Sequence, residues 1–160
     1  MQRHPSLIRL SHDHHHGLAL ALRCRKQALG RLKPMGAAGL NERAREFRAF
    51  FDTDLERHFR AEEEILFPLM RGAVGESAAL IDELLRDHQR LRELLNRLAE
   101  ETVMAKTLFD AGDLLERHIR REERELFPLF EKRADAALAA EVETKLGAIY
   151  HEPREIHSRG

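Results

Sequence analysis

Apolar residues recur at three- and four-residue steps along almost the whole chain. This is the period of helices with one buried stripe, and no sustained two-residue alternation or Asn-Gly turn signals a sheet. The first predicted helix spans about 6–29 and stops in "GRLKPMGAAG", where three glycines and a proline interrupt the pattern. The second, about 41–70, puts Phe47, Phe50, Phe51, Leu55, Ile65 and Leu69 on one stripe before "RGAVGES" closes it. The third opens at Glu76 or Ser77 and carries Leu80, Ile81, Leu84, Leu91, Leu95 and Leu98 inward to about 101. The fourth, about 105–132, buries Leu108, Leu115, Ile119, Leu126 and Leu129. A weaker helix over 135–150 precedes a polar tail, 151–160. Short connections make sequential helices neighbours. The fold class expected is therefore all-α, an up-and-down antiparallel four-helix bundle with a short additional C-terminal helix.

One segment is written twice: "LERHFRAEEEILFPL" at 55–69 returns as "LERHIRREERELFPL" at 115–129. His58 and Glu62, and again His118 and Glu122, stand one helical turn apart, so each pair can reach a common point. Both pairs interrupt an apolar stripe, between Leu55 and Ile65 and between Leu115 and Leu126, and His88 interrupts the stripe of the third helix. Burying such groups without partners costs several kcal/mol each. A cation bridged by carboxylates and capped by imidazoles satisfies them together, the recurring di-metal arrangement of helical bundles. Height supports this, since His15 lies roughly 15 residues before the end of the first helix and His58 roughly 17 after the start of the second. The remaining acids of the repeat, Glu63, Glu64, Glu123 and Glu125, rotate away from the stripe and read as solvated charge. Leu-Phe-Pro-Leu at 66–69 and 126–129 reads as a kink or helix-terminal packing element.

The first helix offers several histidines in "SHDHHHGLAL". Projected on a wheel, Leu7, Ile8, Leu18, Leu22 and Leu29 centre on a direction with His14 and His15 about 50° to either side, and with His12 and His16 beyond about 100°. Asp13-His14 resembles Asp87-His88, which favours His14. His15 has Leu18 and Leu22 at the offsets at which His88 has Leu91 and Leu95, and this reading leans to His15, with His14 as a supporting or additional ligand.

Charge narrows the partners. Across 160 residues, 27 Lys and Arg nearly cancel 28 Asp and Glu, so no basic field favours nucleic acid or an anionic membrane. No apolar run approaches the ~20 residues that span a bilayer, and "MQRHPSLIRL" lacks the regions of a signal peptide, so the cytoplasm is the compartment expected. The length suits one domain. Ten histidines against one cysteine, Cys24, favour imidazole and carboxylate ligation, which suits iron or manganese better than a closed structural zinc site.

Taken together, a single His on the first helix, "HFRAE" on the second, "DH" on the third and "HIRRE" on the fourth, continued by "EE..LFP", resemble the hemerythrin-like, or HHE cation-binding, proteins. The resemblance covers about 7–130 and implies a metal-binding domain over 1–150. It implies two non-haem iron ions, with manganese or zinc as substitutes in a given preparation. Glu62 and Glu122 would bridge them, and His15 or His14, His58, His88 and His118 would terminate them. Oxygen-carrying hemerythrins have a second His four residues after the first on the third helix; here Arg92 stands there. The chain thus resembles the iron-repair and sensor branch more than the carriers.

The function expected is binding of dioxygen, nitric oxide or peroxide at an open iron position, for oxygen or stress sensing, storage or detoxification. An enzyme reading needs an electron donor that the sequence does not name, and no redox or protein partner is specified. The alternatives are an iron-donating repair protein, for which Cys24 on the polar side of the first helix is the argument, and a structural helical module holding another divalent metal or none.

Overall fold

The periodicity that predicts helices is realised in a computed structural model that describes residues 3–152. Within them there is no strand. A 3₁₀ turn, Pro5–Leu7, leads into α1, Ile8–Ala28. The second long helix is built from α2 (Gly36–Phe50), α3 (Glu56–Ala61) and α4 (Phe67–Ala73), joined by two wide π-helical turns, Phe51–Leu55 and Glu62–Leu66. The third is α5, Ala78–Leu98. The fourth is α6 (Ala105–Arg121), a π-helical turn Glu122–Leu126, and α7 (Phe127–Arg133). These four pack as a bundle, and a shorter helix, α8 (Ala136–Tyr150), lies against α3, α4 and the 3₁₀ turn. Of the tail expected at 151–160, residues 153–160 lie outside the described residues. No described helix is long and apolar enough to cross a membrane.

Local chemistry accounts for the boundaries. Gly30, at φ 71°, ends α1; its N–H donates to the Gln27 carbonyl and Arg31 N–H to the Lys26 carbonyl, the paired bonds of a glycine-terminated helix. The second helix starts at Gly36 rather than near 41. Gly39 permits this, since a Cβ there would stand 1.9 Å from the Pro34 carbonyl oxygen. Asp135 caps α8 by accepting from Leu138 N–H at 2.8 Å.

Two apolar clusters fill the bundle. One holds Leu20, Phe47, Leu55, Phe59, Leu91 and Leu115, the other Leu10, Leu66, Phe67, Ile81, Phe127 and Phe130. Every long helix passes from one to the other through a buried polar residue: His14, His58 with Glu62, His88, and His118 with Glu122.

Two stripes differ from expectation. On α1, Ile8, Leu22 and Leu29 are 49%, 44% and 54% exposed, while Leu10, His14, Gly17, Ala21 and Cys24 face inward. The inner face is small because α1 packs closely on α6. A Cβ on Gly17 would meet Ile119 Cδ1 at 2.8 Å, and one on Gly112 would meet the Ala21 carbonyl oxygen at 2.8 Å. In the repeated segments, Leu69 and Leu129 are only half-buried, whereas Phe67, Met70, Phe127 and Phe130 are buried. Each π-helical turn takes one residue more than an α-turn, so the residues after it are rotated from where a uniform wheel places them.

Candidate metal centre

In both repeats the carboxylate residue opens the wide turn. Phe67 N–H donates to the Glu62 carbonyl and Phe127 N–H to the Glu122 carbonyl, five residues back rather than four. Pro68 and Pro128 take the second place of the α-helical segments that follow, where a missing N–H costs least. The Phe-Pro element is therefore no kink at a helix end; it is the far side of the turn that presents Glu62 and Glu122. Wide turns of this kind frequently mark functional positions inside helices.

The structure brings His14, His58, Glu62, His88, His118 and Glu122 together, all buried. His14 Nε2 lies 3.1 Å and His118 Nε2 3.2 Å from Glu122 Oε1, while His88 Nε2 lies 3.1 Å and His58 Nε2 3.4 Å from Glu62 Oε1. The outward ring nitrogens each have a carboxylate. His58 Nδ1 donates to Asp13 Oδ2 and His118 Nδ1 to Asp87 Oδ2, both at 3.0 Å. His14 Nδ1 donates to Glu123 Oε2 at 2.7 Å and His88 Nδ1 to Glu63 Oε2 at 2.6 Å. The rule is simple: each aspartate binds the histidine of its own half, and each glutamate binds the histidine of the other. A proton held at Nδ1 leaves Nε2 aimed at the centre, the arrangement that orients a metal-ligating imidazole. Phe59, stacked on His88 at 3.7 Å between ring centroids, and Phe127, stacked on His14 at 5.5 Å, brace two of the rings.

Charge follows the same layout. Burial opposes protonation of His118, but Glu122 and Asp87 outweigh it and hold the imidazole up at about 10. His58 is held well above its ordinary value against burial by Glu62 and Asp13, and His14 is raised against burial by Glu122 and Glu123. Burial likewise opposes ionisation of Glu122, yet the surrounding imidazoles keep it well below the carboxylate range.

Several atoms of the layer are left unsatisfied. His58 Nε2, His88 Nε2, His118 Nε2, both Glu62 oxygens and Glu122 Oε2 are buried with no hydrogen-bond partner among the described residues. Each such atom costs roughly 1–3 kcal/mol. All six could serve as ligand atoms, and together with His14 their residues form two groups close enough to hold one ion each: His14, His58, Glu62 and Glu122, and Glu62, His88 and His118. Imidazole and carboxylate without thiolate suit iron or manganese. The residues present fit a pair of such ions.

His15 is not among them. It is exposed, beside Arg3, Ile8, Ser11 and His12 around a surface depression of about 270 Å³. The wheel that leaned to His15 included Ile8, Leu22 and Leu29, which face solvent, whereas His14, its alternative, is buried within the cluster. Glu63 and Glu123 also depart from their reading as solvated charge, since they hold His88 and His14. Glu64 and Glu125, 59% and 57% exposed, do face solvent. Cys24 sits on the inner face of α1, fully buried, and burial pushes its thiol up to about 12. The argument for iron donation from a reactive thiol on a polar face does not hold. Asp13, Asp87 and Tyr150 join the site only through the fold, and the "DH" shared by α1 and α5 is the signal in the sequence that points to the two aspartates.

A family model described as the hemerythrin HHE cation binding domain matches residues 6–144. Neither the curated proteins nor the solved structures compared with the chain give a match.

Proposed function

Because the chain belongs to the hemerythrin HHE cation-binding domain family, we propose that residues 1–150 form a metal-binding domain holding two non-haem iron ions in the buried His/Glu layer. On this reading His14 and His58 hold one ion, His88 and His118 the other, and Glu62 and Glu122 lie between them. A dioxygen, nitric oxide or peroxide molecule occupies an open position, in oxygen or stress sensing, storage or detoxification. The observation that carries the reading is the set of unpartnered, inward-facing atoms on His58, His88, His118, Glu62 and Glu122. A pair of irons would supply two electrons and a binding position for a small oxidant. The chain supplies the rest: Asp13, Asp87, Glu63 and Glu123 aim the imidazoles, and apolar clusters on both sides keep bulk water away.

The test is metal content and the ultraviolet-visible spectrum of untagged protein from iron-replete cells, recorded before and after dithionite and again after air. About two irons per chain, with bands that bleach and return, are expected. One zinc, or no metal, overturns the reading.

A further inference from the structure

The two halves of the buried layer are alike in their ligands and unlike in what stands behind them. Asp13 Oδ2 accepts from His58 Nδ1 at 3.0 Å and also from the Tyr150 hydroxyl at 2.6 Å. Asp87 Oδ2 accepts from His118 Nδ1 at the same 3.0 Å, but the next charged group, Arg121 Nη1, is 4.0 Å away. The Asp13 side chain is 8% exposed and that of Asp87 19%. Tyr150 comes from the end of α8, and that end is pinned to α3: the Arg57 guanidinium lies 4.5 Å from the Tyr150 ring centroid, and Arg60 pairs with Glu152. A second observation points the same way, since the group containing His58 offers four ligand residues and the other offers three.

We propose that the two cation positions fill in order, His14 with His58 first, and that Tyr150 is the positioning residue that sets this order by fixing Asp13 and, through it, His58. The inference rests on the cation-binding reading of the layer and goes beyond it. An aspartate held by two donors loses little freedom when His58 takes a metal, whereas Asp87, whose one hydrogen bond is to His118 and which is more exposed, has more freedom left to lose. Occupancy of the first position is thereby tied to the docking of α8.

The chain has one tyrosine and no tryptophan, so emission excited at wavelengths that phenylalanine does not absorb belongs to Tyr150 alone. The metal-free full chain is titrated anaerobically with ferrous iron, following tyrosine emission and, by competition with a chelator, the affinity of each step. Emission is expected to change over the first equivalent and stay flat over the second. Tyr150→Phe, which keeps the ring beneath Arg57, is expected to weaken the first step about tenfold and leave the second within about twofold. Asp87→Asn is expected to weaken the second step instead. Emission that tracks the second equivalent overturns the proposal, as does a Tyr150→Phe chain with both steps unchanged or both equally weakened. These outcomes leave the cation-binding reading standing. A parent chain that binds no iron overturns both.

Discussion

The segments 55–69 and 115–129 share a backbone and differ in their setting. In each, a histidine, a glutamate one turn later, a π-helical turn and a buried phenylalanine follow at the same offsets. Yet Phe59 stacks on His88 where the other copy has Ile119 lying over Gly17, and Tyr150 backs the first copy where the second has a more exposed Asp87. The repeat specifies ligand geometry through local spacing, and the parts of the chain that are not repeated make its two copies unequal.

The comparison breaks hardest at the carboxylates. Glu62→Ala and Glu122→Ala should each abolish most metal binding, because each removes a residue placed at the junction of the layer, whereas Glu64→Ala should leave metal content unchanged; elemental analysis of the purified variants decides. Full iron retention in Glu122→Ala would rule out its bridging role. Next come the residues that differ at the equivalent offset of the two copies. Phe59→Ala should cost about 3–5 kcal/mol and Ile119→Val about 0.5–1.5 kcal/mol, read as denaturant midpoints of the metal-free chains.

Glu63→Ala and Glu123→Ala should lower metal affinity by about 10–100-fold each without emptying the site at saturating metal, measured by competition with a chelator. Equal losses would mark this cross-half contact as the symmetric part of the site. The pH dependence is gentler. Burial disfavours a charged His118, but its carboxylates hold it up at about 10, so in the metal-free chain its contribution is full below the ordinary imidazole value and fades as pH rises through about 10. Glu122, held well below the carboxylate range despite burial, contributes above that range and loses its effect as pH falls through its lowered value. Melting temperature against pH should therefore fall on the alkaline side for chelated protein and flatten once metal displaces the protons. An alkaline limb identical in both forms would contradict this. The smallest effect belongs to His15→Ala, with stability expected within about 0.5 kcal/mol of the parent and metal retained, against clear metal loss in His14→Ala.

Much of this was legible in the sequence, for identifiable reasons. The four long helices and α8 follow from period and punctuation. His58, Glu62, His118 and Glu122 follow from spacing within one turn of a helix, a local relation. What the sequence leaves open is non-local. Choosing between His14 and His15 needed the direction in which α1 faces α6, and that face is made of Gly17, Ala21 and Cys24, whose small size a hydrophobicity-weighted wheel discounts against the exposed Ile8, Leu22 and Leu29. Glu63 and Glu123 lie beside the stripe on their own helices and find their histidines on another, so no single-helix projection could separate them from Glu64 and Glu125.

The wide turns at 62–66 and 122–126 give each repeated helix two successive reading frames, one for the ligands and one for the Phe-Pro segment. Because each wide turn holds one residue more than an α-turn, losing one residue inside it would close it to an α-turn and leave Met70 or Phe130 facing inward, whereas the same loss just beyond it, at Pro68 or Pro128, would rotate the residues that follow off the buried face. For this fold the place of a one-codon deletion, inside a wide turn or beyond it, decides whether packing survives it.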